Sequence, residues 1–189
     1  MVMNHRILFS GILLAALVGA GWSVAQERLS FQQGSRVTVE GTSTVHDWSC
    51  TTTSITGTLD AADGFTGLSA LTLSIPVNSL DCGNGTMNGK LREALGTSPI
   101  RFVLADARVG SPNGGVFGVE ANGQLTIKGA ARAQRVSAQG RDLGNGRYRF
   151  TGSVPLTMSQ FGVTPPTAML GTLRTGDRVT VRFDVTVGS

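Results

Sequence analysis

Arg178-Val-Thr-Val-Arg-Phe-Asp-Val-Thr-Val187 decides the fold class. Val179, Val181, Phe183, Val185 and Val187 alternate with Arg178, Thr180, Arg182, Asp184 and Thr186. Successive strand residues point to opposite faces, so this is a strand with one dry face and one wet face. Working outward, the same period returns. Tyr148, Phe150, Val154, Leu156 and Met158 oppose Arg147, Arg149, Thr151 and Thr157. Phe117, Val119, Ala121, Leu125 and Ile127 oppose Glu120, Asn122, Gln124 and Lys128. Leu71, Leu73, Ile75 and Val77 oppose Thr72 and Ser74, and Val37 and Val39 repeat the pattern near the start.

Between the runs lie Asp63-Gly64, Asn113-Gly-Gly115, Asn145-Gly146 and Gly176-Asp177, residues that tolerate the backbone of tight turns. Short turns between neighbouring strands make them antiparallel. The class is therefore all-β. About eight strands with one apolar face can close into a barrel, which removes exposed edges, or pack as a two-sheet sandwich, and periodicity alone leaves both open.

One segment departs from period two. Met87, Leu91 and Leu95 recur every fourth residue, with Asn84 or Thr86 before them and Gly96 after. This spacing predicts a short amphipathic helix, capped at its start by Asn84 or Thr86 and stopped by Gly96. Its simplest role is to cover one side or end of the sheet.

Residues 1–25 read as a cleavable export signal: a basic start with Arg6, an apolar run from Ile7 to Gly21, and Ser23-Val-Ala25 as the cleavage site. Cleavage after Ala25 would leave 164 residues (189 less 25), a single domain over 26–189. The net charge of +4 is spread over scattered arginines with no basic run, which argues against nucleic acid as a partner. In the periplasm or outside the cell, an even count of cysteines reads as a disulfide, here Cys50 with Cys82. Closing that loop contributes about 3–4 kcal/mol in the chain-entropy model. A redox-active pair is the other reading, though the close Cys-x-x-Cys spacing it favours is missing.

Val39-Glu-Gly-Thr-Ser-Thr-Val-His-Asp-Trp-Ser-Cys50 collects residue types that often carry chemistry. If the run is one regular strand, His46, Trp48 and Cys50 share a face and Asp47 and Ser49 share the other. A metal site is expected to be absent, because one histidine beyond the leader and two paired cysteines do not supply three or four ligands. A hydrolase-like enzyme centred on His46 has no Gly-x-Ser-x-Gly elbow to work with. His46 then reads as a hydrogen-bonded strand residue, and the chain as no enzyme and without a cofactor.

The chain resembles the YceI-like family of secreted bacterial proteins. The resemblance runs from about Ser35 to Val187 and rests on the order and spacing of several short motifs. These are Ser35-Arg-Val-Thr-Val39, Gly57-Thr-Leu59, Leu73-Ser-Ile-Pro-Val-Asn-Ser-Leu80, Pro99-Ile-Arg-Phe102, Gly123-Gln-Leu-Thr-Ile-Lys-Gly129 and Phe161-Gly-Val163. Gly41-Thr-Ser-Thr-Val-His-Asp-Trp48 with paired Cys50 and Cys82 marks a subgroup. Gln160 departs from the family pattern, where an acidic residue is expected.

The resemblance implies a closed antiparallel lipocalin-like β-barrel of about eight strands with the short helix over one side or end. It implies non-enzymatic binding of a long apolar ligand inside the barrel, a polyisoprenoid, quinone or fatty-acid derivative, for transport, storage or stress protection. The residues expected to meet that ligand are His46, Trp48, Phe102, Phe117, Val119, Leu125, Ile127, Phe150, Met158, Phe161 and Phe183. The resemblance is also compatible with a homodimer and with passing contact with a membrane. A barrel filled by its own side chains and acting as a structural or interaction module is the competing expectation.

Overall fold

The computed structural model describes residues 26–168 and 172–189. The expected export signal over 1–25 lies outside the described residues. Eleven strands and one helix follow in chain order: β1 (Gln26–Phe31), β2 (Arg36–Ser43), β3 (Trp48–Thr52), β4 (Thr56–Ala62), β5 (Leu68–Ile75), α1 (Gly85–Leu95), β6 (Ile100–Val109), β7 (Val116–Ile127), β8 (Ala130–Gly144), β9 (Arg147–Thr157), β10 (Thr167–Ala168) and β11 (Leu173–Gly188).

The pairing closes a ring. β4, β5, β6, β7, β8, β9 and β11 follow one another, and β1 bonds both β4 and β11. The ring has eight positions, two of them occupied by interrupted strands. β1 pairs with β11 through Phe31 and Val187, and β2 continues along the same partner from Arg36 opposite Asp184. β4 and β3 lie likewise end to end along β1 and β2, with Ser30 opposite Thr58 and Val37 opposite Thr52. The fold is thus an all-β, closed, antiparallel eight-stranded barrel with one short helix.

The wet face is outside. Arg28–Asp60, Arg135–Glu120, Arg149–Asp184 and Arg182–Glu40 pair across neighbouring strands there. Exposed pairs of this kind add little stability each, but a one-residue slip would break them and turn every apolar side chain outward.

One end of the barrel is shut by aromatic rings. Phe65 enters from the β4–β5 turn and packs on Phe117, Tyr148 and Phe150, with ring centroids 5.4, 5.0 and 4.9 Å away. Phe65 is 1% exposed and has φ +54°, a conformation that costs a bulky residue about 1–3 kcal/mol. Burying the ring offsets that with about 1.5–3 kcal/mol, and each favourable ring pair adds about 0.5–1.5 kcal/mol.

The helix forms where the four-residue spacing places it. The Asn84 side chain accepts from the Thr86 and Met87 amides, so Asn84 rather than Thr86 is the cap, and Gly96 ends the helix at φ +77°. None of its residues is buried, so it rests on the barrel and is not part of the core.

The stretch Val39–Cys50 is not one strand. It is a hairpin, with β2 ending at Ser43 and β3 beginning at Trp48. The reason is local. Ser43 Oγ accepts from the amides of Val45 and His46 and donates to the His46 carbonyl, so a side chain takes the place of ladder bonds and the chain turns. The shared face of His46, Trp48 and Cys50 fails at this turn.

Candidate functional site

The end opposite the aromatic plug holds the site. Trp48 stands opposite Gly41 on the β2–β3 ladder, and its indole packs against that glycine. A Cβ on Gly41 would sit 2.3 Å from Trp48 Cζ2, so only glycine admits the ring. Trp48 Nε1 donates to the Thr42 carbonyl at 3.1 Å, which fixes the ring's tilt.

Cys50, two residues on, is 1% exposed and bonded to Cys82. The bridge ties β3 to the segment leading into α1, and other hydrogen bonds reinforce that tie. The Thr51 and Asp81 backbones exchange hydrogen bonds of 2.8 and 2.9 Å. Asn88, in the first turns of α1, donates to Asp81 Oδ1 and accepts from the Cys82 amide. The donors Asn88 and Gly83 hold the Asp81 carboxyl below the usual carboxylate range. The helix is therefore held at its first turns, while Leu91 and Leu95 further along reach over the barrel interior.

Inside is a cavity of about 260 Å³. Trp48, Phe102, Val119, Leu125, Ile127, Phe150, Met158, Phe161 and Phe183 all line it, as do Cys50 and the helix residues Leu91 and Leu95. Among the described residues, Gln134 is the one polar aliphatic side chain on its wall. Two expected residues lie elsewhere. Phe117 belongs to the aromatic plug. His46 is exposed at the tip of the β2–β3 hairpin, with Nδ1–H donating to the Asp47 carbonyl at 2.8 Å. Ser43 bonds the His46 backbone and not its ring, so no nucleophile–base pair forms there.

Sequence reasoning missed Phe65 and Gln134 on the cavity wall. Phe65 lies in a turn and has no alternating neighbours. Gln134 lies on β8, whose Ala130-Ala-Arg-Ala-Gln-Arg-Val-Ser137 shows no apolar alternation. The inward parity of β8 follows only from its pairing: Gln134 faces Gly123, Val136 faces Ala121 and Ala138 faces Val119 on β7.

At the rim, Ser159 Oγ and the Ser159 amide donate to Asp177 at 2.6 and 2.8 Å. This ties the turn after β9 to β11 and holds the Asp177 carboxyl below the usual range. Gln160 points outward, into a shallow groove shared with Glu40 and Arg178. Among the described residues, no three His, Cys, Asp or Glu side chains cluster as a metal site would need, and no helix is long and apolar enough to cross a membrane.

The barrel has solved counterparts of low identity, which share the fold. A polyisoprenoid binding domain from Saccharophagus degradans superposes with a TM-score of 0.67 at 15% identity, over 85% of this chain and 98% of that one. Burkholderia cenocepacia BcnA gives 0.63 at 19%, over 80% and 95%. A Campylobacter jejuni YCEI protein gives 0.57 at 14%, over 99% of both chains. No curated protein matches the sequence significantly. The model of the YceI-like domain matches residues 24–187, almost the whole length, and the chain therefore belongs to the YceI-like family.

Proposed function

We propose that the protein is an exported, non-enzymatic binder of a slender apolar molecule, which it holds in the barrel for carriage, storage or protection. The observation that carries this reading is the cavity of about 260 Å³ with a nearly all-apolar wall, bounded at one end by an aromatic plug. An apolar wall favours an apolar guest, because polar groups entering it would lose their water without replacement. The volume lies just below the roughly 300–1,000 Å³ of most small-molecule sites. It suits a single acyl or isoprenoid chain whose far end leaves through the mouth, and not a bulky ring system. The Saccharophagus degradans neighbour is described as a polyisoprenoid binding domain, which favours the isoprenoid member of that pair. The expected ligand contacts are Trp48 and the phenylalanines Phe102, Phe150, Phe161 and Phe183. Export is supported by the leader-like residues 1–25 and the Cys50–Cys82 bridge, which suits an oxidising compartment.

Native mass spectrometry of gently extracted protein tests the reading. An adduct with the mass of a prenyl or acyl lipid is expected. Protein that carries no lipid, and takes up neither a prenol nor a fatty acid when they are added, would sink it.

A further inference from the structure

β8 is bonded on one side only over half its length. Ala130–Ile127 through Arg141–Val116 pair continuously with β7, but β9 begins pairing only at Ala138, opposite Gly152. Residues 130–137 therefore have no ladder partner on the β9 side among the described residues. In an antiparallel ladder alternate residues turn their backbone groups to alternate sides. The Ser137 carbonyl faces β9, 2.6 Å from where a Gly152 Cβ would be. Ala131, Ala133 and Arg135 share its parity and present their edge groups to the same gap. Two of the edge carbonyls are met by side chains from the strand itself: Arg132 donates to Ala131 O and Gln134 to Arg135 O, both at 2.8 Å. The edge amides have no such partner among the described residues.

Arg132 and Gln134 are on the inward parity of β8. Gln134 lines the cavity, and Arg132 stands opposite Leu125, which also lines it. Arg132 is exposed and has no carboxylate partner among the described residues, whereas neighbouring Arg135 is paired with Glu120. Across the gap lie Met158 and Phe161, both on the cavity wall. Gln134 on the cavity wall is thus flanked along the β8 edge by a short row of further donors: one guanidinium and the unpaired edge amides.

We propose that this edge binds the anionic head group of a single-chain amphiphile, a carboxylate or phosphate, with the chain inside the barrel. The assignment rests on the apolar-ligand reading above and adds the charge of the head and its place. Arg132 supplies the charge and a fork of donors matched to two oxygens. Gln134 gives up its bond to Arg135 O and turns its amide to the head. Both are specificity-determining residues and neither acts on the ligand chemically.

Calorimetry with two matched pairs tests it on the full chain: hexadecanoate against hexadecanol, and farnesyl phosphate against farnesol. At least one anion is expected to bind tenfold or more tightly than its alcohol. A preference in the first pair alone marks an acyl source, and in the second alone a prenyl source. Arg132→Glu is expected to abolish the preference while the alcohols change less than twofold. Arg132→Gln is expected to reduce it by an intermediate factor, and an unchanged melting temperature excludes unfolding as the cause. Equal binding within both pairs, or equal weakening of acid and alcohol by Arg132→Glu, overturns the head-group site but leaves the apolar-ligand reading standing. Failure of all four probes to bind sinks that reading and the head-group site with it.

Discussion

The two ends of the barrel are made by the same strands and differ in how they are finished. At the closed end, Phe65, Phe117, Tyr148 and Phe150 pack ring against ring, and each is 8% exposed or less. At the open end a smaller cluster of Val154, Leu156, Phe161, Val163 and Val179 is buried, the helix has no buried residue, residues 130–137 of β8 have no partner on the β9 side among the described residues, and hydrogen bonds and one disulfide hold the helix in place. The difference teaches a division of labour. The larger buried cluster, around the aromatic plug, carries more of the stability, and this frees the other half to keep an apolar void that filling would stabilise but would close to a guest.

The strongest way to break this contrast is to remove the plug. Phe65→Ala is expected to cost about 3–5 kcal/mol, because the cavity it leaves is walled by three rings that cannot collapse into it. The loss should appear as a lower midpoint in urea unfolding. Trp48→Ala at the open end should cost clearly less. If the two variants unfold alike, the division between the ends is wrong.

Removal of the staple comes next. Cys50→Ala with Cys82→Ala is expected to cost about 2–4 kcal/mol, mostly by freeing the unfolded chain. The barrel should persist, since the Thr51–Asp81 and Asn88 bonds still tie β3 to the helix. Hydrogen exchange should rise in α1 and β3 and stay unchanged around Phe117 and Tyr148. Faster exchange at both ends would mean that the bridge supports the whole barrel.

The contrast also explains what the sequence could reveal. Regular strands bury one face, so β5, β7, β9 and β11 announce themselves by alternation, and helix α1 by its fourfold spacing and its caps. The closed end was half legible, because Phe117, Tyr148 and Phe150 lie on such strands, whereas Phe65 comes from a turn and left no period to read. The open end was less legible still. The hairpin at 44–47 is set by one serine side chain, Ser43, within a run of β-branched residues that reads as continuous strand. β8 faces a cavity and a gap, so nothing selects large apolar residues at Arg132 or Gln134, and its strand character shows only in its pairing with β7. Site residues that sit where packing is incomplete are those that periodicity cannot find.

A finer break of the comparison is Gly41→Ala. The new methyl would lie 2.3 Å from Trp48 Cζ2, and the indole must swing away. The expected cost is about 1–3 kcal/mol, as for other overpacked sites. The Trp48–Thr42 hydrogen bond should be lost, read as a changed indole N–H resonance. The Tyr148 ring at the other end should keep its chemical shifts. An unmoved indole resonance would mean that the glycine does not define the open wall.

The smallest expected effect concerns acid. Asp177 is held below the ordinary aspartate range by the two donors of Ser159. A carboxyl with a depressed folded pKa adds stability above its unfolded value, about 3.9, and that contribution is lost as pH falls through the lower folded value. As pH falls below the ordinary aspartate range, then, the tie between the turn after β9 and β11 should release, and the Ser159 amide resonance should shift with the titration. Asp60, Glu120 and Asp184 are likewise depressed, by arginines on the outer wall, and Asp81 by Asn88 at the helix start. The Ser159 amide distinguishes Asp177 from these because it bonds that carboxylate directly. Asp177→Asn should remove the pH-dependent shift at Ser159. The Tyr148 ring should show no acid shift that Asp177→Asn removes, because its own hydroxyl is pushed upward by burial and stays neutral throughout the acid range. An acid shift in the Tyr148 ring that Asp177→Asn abolishes would show that the two ends are coupled, and that the open end is not free to loosen alone.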